Sequence, residues 1–171
     1  ATGSLLLDTG VISAGVKDGY GAAYKSFTAT AARYWRLDLT DNTVADNLQI
    51  GRVFLGSRWQ PSSSQLWDWS VMALDESRLD ESYGGQVYAD ERPQRRVLQF
   101  VLDFMDAPEM YGNAFALARA RGIVRDVLAI PEITSAYVSE QSVWGLLTAS
   151  QPLSQRKVRI FQQKFEIKER L

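Results

Sequence analysis

The chain has 171 residues, 46% of them hydrophobic, with 19 basic and 20 acidic side chains, no Cys and no His. Disulfides, thiolate catalysis, Cys-held zinc or iron–sulfur centres, His general bases and nearly every transition-metal site are thereby excluded. A net charge of −1 gives no drive towards nucleic acid or an acidic membrane surface, so no direct binding to either is expected.

The start, ATGSLLLDTG, lacks an initiator Met and reads as a processed chain or as part of a longer one. No apolar run approaches the roughly 20 residues of a membrane span. Gly3, Gly10, Gly15, Gly19 and Gly21 then punctuate short apolar pieces, as turns between short strands would require. ARYWRLDLTD alternates, with Trp35, Leu37 and Leu39 on one face, and predicts a half-buried strand. LQIGRVFLG predicts its hairpin partner. SRWQPSSSQ, residues 57–65, carries a Pro and three serines and marks a boundary.

Beyond it, LWDWSVMAL and ESRLDESYGGQVYADE read as strands, the latter turned or bulged at Gly84-Gly85. A strand alternates at Leu98, Phe100, Leu102 and Phe104. A helix over 107–121 follows, with Asp106 as N-cap, Pro108 in the first turn, Glu109 as in a capping box and Gly122 as terminator. Tyr111, Phe115 and Ala118 share one of its faces and are expected on the sheet. DVLAI and SVWGLLTA add short strands, and KVRIFQQKFEIKE a long one over 157–169. In that last strand the apolar parity slips, which predicts a bulge near Gln162. About nine strands and one helix make a mainly β fold, a β-sandwich or open barrel with one packed α-helix.

These residues also carry a resemblance. RYWRLDLTDN…LQIGRVFLG, residues 33–56, is similar to a segment of minor tail proteins of long-tailed bacteriophages. GGQVYADERPQRRVLQFVLDF, the helix, DVLAIPE, SVWGLL and KFEIKERL look like the tail-tube fold of distal tail and baseplate proteins. The resemblance implies a smaller jelly-roll-like β segment over 1–58, the end of a galactose-binding-like jelly roll, and a tail-tube-like β-sandwich over 59–171. It also implies a non-enzymatic structural component of a tail tip or baseplate, without cofactor. Such a protein forms a ring around the tail channel as a cyclic homo-oligomer, a hexamer or a trimer. Its other partners are tail-tube and tail-tip proteins, in a virion tail assembled in the host bacterial cytoplasm.

Four constellations are weighed against plainer readings. Trp59, Trp67 and Trp69, with Tyr83 and Tyr88, would form an aromatic platform for a host-surface glycan, or else line the core. Asp38, Asp41, Asn42 and Asp46 would hold calcium, but miss the EF-hand spacing and suit a self-capped turn better. Asp68, Asp75, Glu76, Asp80 and Glu81 supply carboxylates for glycoside hydrolysis, yet nothing selects a pair. Arg92, Arg95 and Arg96, then Arg119, Arg121 and Arg125, would bind phosphate. With Asp90, Glu91, Glu109 and Asp126 interleaved, contacts between subunits or helix-end charge placement explain them better.

Overall fold

The computed structural model describes residues 24–39, 50, 52–62, 69–148 and 152–170. The chain divides into two units, Ala1–Arg58 and Trp59–Leu171.

In the first unit, residues 32–39 and 52–56 form no strand, contrary to the alternation of ARYWRLDLTD and LQIGRVFLG. Tyr34, Trp35, Leu37 and Leu39 are all exposed. Alternation supplies a face, but a strand also needs a partner to complete its ladder, and the described residues of this unit provide none. Phe27 meets Trp35 at 5.6 Å between ring centroids, Arg36 forks onto Asp38 at 2.7–3.0 Å, and Arg58 donates to the Tyr24 hydroxyl at 3.3 Å. The Gly-punctuated start, the rest of the acidic loop and Trp67 lie outside the described residues.

The second unit is mainly β, with antiparallel sheets. Its strands are β1 (Trp69–Leu74), β2 (Arg78–Glu81), β3 (Val87–Asp90), β4 (Arg95–Met105), β5 (Val127–Ala129), β6 (Val143–Leu147), β7 (Ser154–Lys157) and β8 (Ile160–Glu169). Six of them form one sheet in the order β1-β4-β8-β6-β5, with β7 also on β8, while β2 and β3 form a separate hairpin. Since β4 occupies one flank of β8, β6 and β7 share the other, at opposite ends of the strand.

The period-2 pattern sorts the sheet into two faces. Leu98 lies opposite Ile167, Phe100 opposite Phe165 and Leu102 opposite Gln163. Phe100 and Phe165 stack at 5.3 Å. Val143 and Leu147 of β6 and Val127 of β5 complete this buried face. The other face carries Val97, 2% exposed, beside polar side chains. Gln99 donates to Glu166 at 2.7 Å, Thr148 does the same from the far side at 2.7 Å, and Lys168 binds Glu76 at 2.5 Å.

The alternation of β4 ends two residues earlier than its sequence implies. A bulge between Leu102 and Met105 sets Asp103 and Phe104 against Gln162 alone. Phe104 takes φ 58° and stands 58% exposed, and Met105 takes its place in the core. The bulge thus lies opposite Gln162, with the extra residue on β4 instead of β8. The parity slip that pointed to it has another origin: Val158-Arg159 is a turn between β7 and β8, with Arg159 at φ 63°. The expected strand over 157–169 is therefore a hairpin whose second arm begins at Ile160.

Residues 107–121 are helical throughout, as α1 (Ala107–Glu109), a π turn (Met110–Ala114) and α2 (Phe115–Arg121). The Asp106 carboxylate accepts from the Glu109 N–H at 2.8 Å. The Gly122 N–H closes the helix on the Ala118 carbonyl at 2.8 Å, with φ 52°. Glu109 does not reach back to complete a capping box. Its two oxygens instead accept from the Ser62 N–H and hydroxyl at 2.7 and 2.5 Å. The buried face is also turned by one residue from the expected one. Met110 and Ala114 are fully buried, whereas Tyr111 and Phe115 are 53% and 39% exposed. The Phe115 N–H bonds to the Met110 carbonyl, an i→i+5 bond that inserts a residue and breaks the regular helical period. A one-turn helix, α3 (Val138–Gln141), is added before β6.

Candidate assembly surface

A sheet that does not close leaves backbone N–H and C=O groups unpaired at its margins. Among the described residues this sheet has three such margins, at β1, β5 and β7. β5 has only three residues. β7, SQRK, carries two charges and a register irregularity after Gln155, both of which deter uncontrolled pairing. β1, WSVMAL, has neither charge nor Pro over six residues. It is the margin best suited to accept another strand.

The β2–β3 hairpin follows β1. All eight of its strand residues are exposed. Its turn is closed by Ser82 N–H to the Gln86 carbonyl at 2.8 Å and Gly85 N–H to the Ser82 carbonyl at 2.9 Å, and Gly85 takes φ 79°. Leu79 lies opposite Ala89 and Glu81 opposite Val87. Leu79, Val87 and Tyr88 are 72%, 63% and 59% exposed.

The arginines divide by task. Arg92 pairs with Asp90 at 3.0 Å, and Arg95 lies 3.4 Å from Glu76. Arg96 is taken up within the subunit: it binds Glu169 at 2.5 Å and the Ser139 and Glu140 carbonyls at 2.8 and 3.1 Å. Arg119 lies over the Phe115 ring at 5.9 Å. Arg121 stands at the end of α2, its carbonyl accepting from the Arg125 N–H at 3.0 Å. The turn that follows exposes Ile123 and Val124, 60% and 76%. This aliphatic pair was passed over in the sequence, where RGIVRD offers the signal: two aliphatic residues after a helix-ending Gly, between arginines.

Trp59 and Trp69 are half-buried and pack against the core. The carboxylates Asp75 and Glu76 are held by neighbours. Ser77 hydrogen bonds, joined by Gln94, lower the Asp75 carboxyl below its ordinary value. The Lys168 ammonium hydrogen bond does the same for Glu76. At Glu169 burial pushes the carboxyl up, but the Arg96 hydrogen bonds outweigh it and hold the group below its ordinary value. Among the described residues no group of His, Cys, Asp or Glu side chains is placed to hold a metal ion, and no helix is long and apolar enough to cross a membrane.

Compared with protein-family models, with curated proteins and with solved structures, the chain gives no match.

Proposed function

We propose that this chain is a non-enzymatic structural subunit of a long-tailed phage tail tip or baseplate. It forms a homo-oligomeric ring, a hexamer or a trimer, around the tail channel and links the tube to tip proteins in the virion tail, assembled in the host bacterial cytoplasm. On this reading the second unit is a tail-tube-type β-sandwich or open barrel. The observation that carries the proposal is the uncharged outer margin of β1, in a sheet whose other margins are short or protected. Such a strand in a free subunit invites uncontrolled pairing, whereas a closed ring of heterologous contacts satisfies it. The strand–helix–strand order and the helix packed on one face are in keeping with it.

The glycan platform is the lesser reading, because Trp59 and Trp69 direct their rings to the core. Negative-stain electron microscopy of the purified chain, with antibody labelling of virions, tests the proposal. Rings with a central hole, or label at the tail end, are expected. Single particles together with unlabelled virions would overturn it.

A further inference from the structure

Two exposed patches of the second unit match each other in charge and in apolar content. The first is the β2–β3 hairpin. Residues 78–91 carry Asp80, Glu81, Asp90 and Glu91 against one basic side chain, Arg78, around the exposed Leu79, Val87 and Tyr88. Of these carboxylates Asp90 is shared with Arg92. A hairpin with two four-residue arms and both faces in water is marginal by itself, so it gains from a surface to lie on.

The second patch is the turn after α2. Residues 119–125 carry Arg119, Arg121 and Arg125 and no acid, around the exposed Ile123 and Val124. The turn is built firmly: Arg125 N–H donates to the Arg121 carbonyl at 3.0 Å, and Gly122 N–H to Ala118 at 2.8 Å.

Their places in the fold decide what kind of contact they make. The hairpin is inserted between β1 and β4, the first two strands of the sheet path, and the turn leads into β5, the last. Two complementary and different patches on one subunit describe a head-to-tail contact, which repeats from copy to copy and gives a ring where the rotation closes. We propose that the β2–β3 hairpin of one copy docks on the α2–β5 turn of the next. Leu79 and Val87 meet Ile123 and Val124, and Glu81, on the same hairpin face, and Glu91 face Arg119, Arg121 and Arg125. The inference rests on the reading of this chain as a self-assembling subunit and identifies the partner as a second copy.

The lack of native Cys allows a direct trap. Val87→Cys and Val124→Cys are made as separate chains, both at exposed positions, and mixed in a glutathione redox buffer. The docked pair predicts a Val87–Val124 heterodisulfide at least about tenfold over either homodisulfide. Arg121→Glu with Arg125→Glu in the Val124→Cys chain lowers its yield about tenfold. Glu81→Arg with Glu91→Arg in the partner chain restores it. A statistical mixture of disulfides, unmoved by the charge reversals, overturns the contact. Sedimentation of the wild-type chain then separates the two readings. Self-association without selective trapping leaves the ring and rejects this contact, whereas a monomer without selective trapping rejects this contact, and the virion labelling then decides the ring.

Discussion

Arg96 holds Glu169 with three donors at once: its backbone N–H at 2.9 Å, Nε at 3.0 Å and Nη2 at 2.5 Å. Its remaining nitrogen, Nη1, donates to the Ser139 and Glu140 carbonyls of α3 at 2.8 and 3.1 Å. One side chain of β4 thus fastens the end of β8 and a helix 43 residues away in sequence. Only a planar guanidinium can satisfy a carboxylate and two carbonyls together, so lysine cannot replace it.

Arg96→Ala should therefore cost stability without touching any exposed patch. Glu169 keeps only 17% of its side-chain exposure and would lose its charged partner, while Arg96, at 34%, is partly screened by water. The expected loss is about 2 kcal/mol, below that of a fully buried pair. Urea unfolding of the variant measures it, and a midpoint equal to wild type would show that the clamp contributes nothing.

The same pair sets a pH dependence. Glu169 has its carboxyl held below the ordinary 4.5 in the folded state. A depressed carboxyl gives stability that is fully present above the ordinary value and is lost as pH falls through the folded one. Unfolding free energy should fall more steeply for wild type than for Glu169→Gln between about pH 5 and about pH 3. Parallel curves would exclude this group as the source.

Gly145 marks a place where β6 lies hard against β8. A Cβ built there would stand 1.9 Å from the Lys168 carbonyl oxygen and 2.9 Å from the Glu169 Cα. Both obstacles are backbone, so the strands must separate. Gly145→Ala should lose at least about 3 kcal/mol or fail to fold. Gly112 in the π turn has nothing within 4 Å of that position. Gly112→Ala should gain about 0.5 kcal/mol through lower chain entropy. Thermal melts of the two alanine variants should move in opposite directions.

Helix docking can be tested at neighbouring positions. Met110, fully buried, should cost about 3 kcal/mol on substitution to Ala, and Phe115, 39% exposed, about 1 kcal/mol. Met110→Asp should unfold the second unit, while Phe115→Asp leaves it folded, by circular dichroism. The opposite order would restore the face that the regular helical period implies.

How much of this was legible in the sequence depends on the range of the interaction. Asp106 and Gly122 could be read, because a cap is satisfied within a few residues. Leu98, Phe100 and Leu102 could be read, because a strand repeats every two residues. Phe104 could not, since its exposure follows from a bulge defined by how β4 meets β8, a strand distant in sequence. Met110 was missed for a related reason: the π turn shifts the helix phase, and no local motif announces it. The ion pair of Arg96 spans 73 residues. The arginine pair could be noticed, but its carboxylate could not be chosen among 20.

Gln163 shows the same limit within the core. It is 3% exposed, opposite Leu102, on the face lined by Phe161, Phe165 and Ile167. Its Oε1 is buried and has no hydrogen-bond partner among the described residues. Leaving an amide oxygen unpaired costs on the order of 1–3 kcal/mol, and Met has nearly the same length and flexibility without that oxygen. Gln163→Met should therefore raise the unfolding free energy by about 1 kcal/mol, as read by urea denaturation. A loss of stability instead would mean that the Gln163 amide is satisfied by bound water.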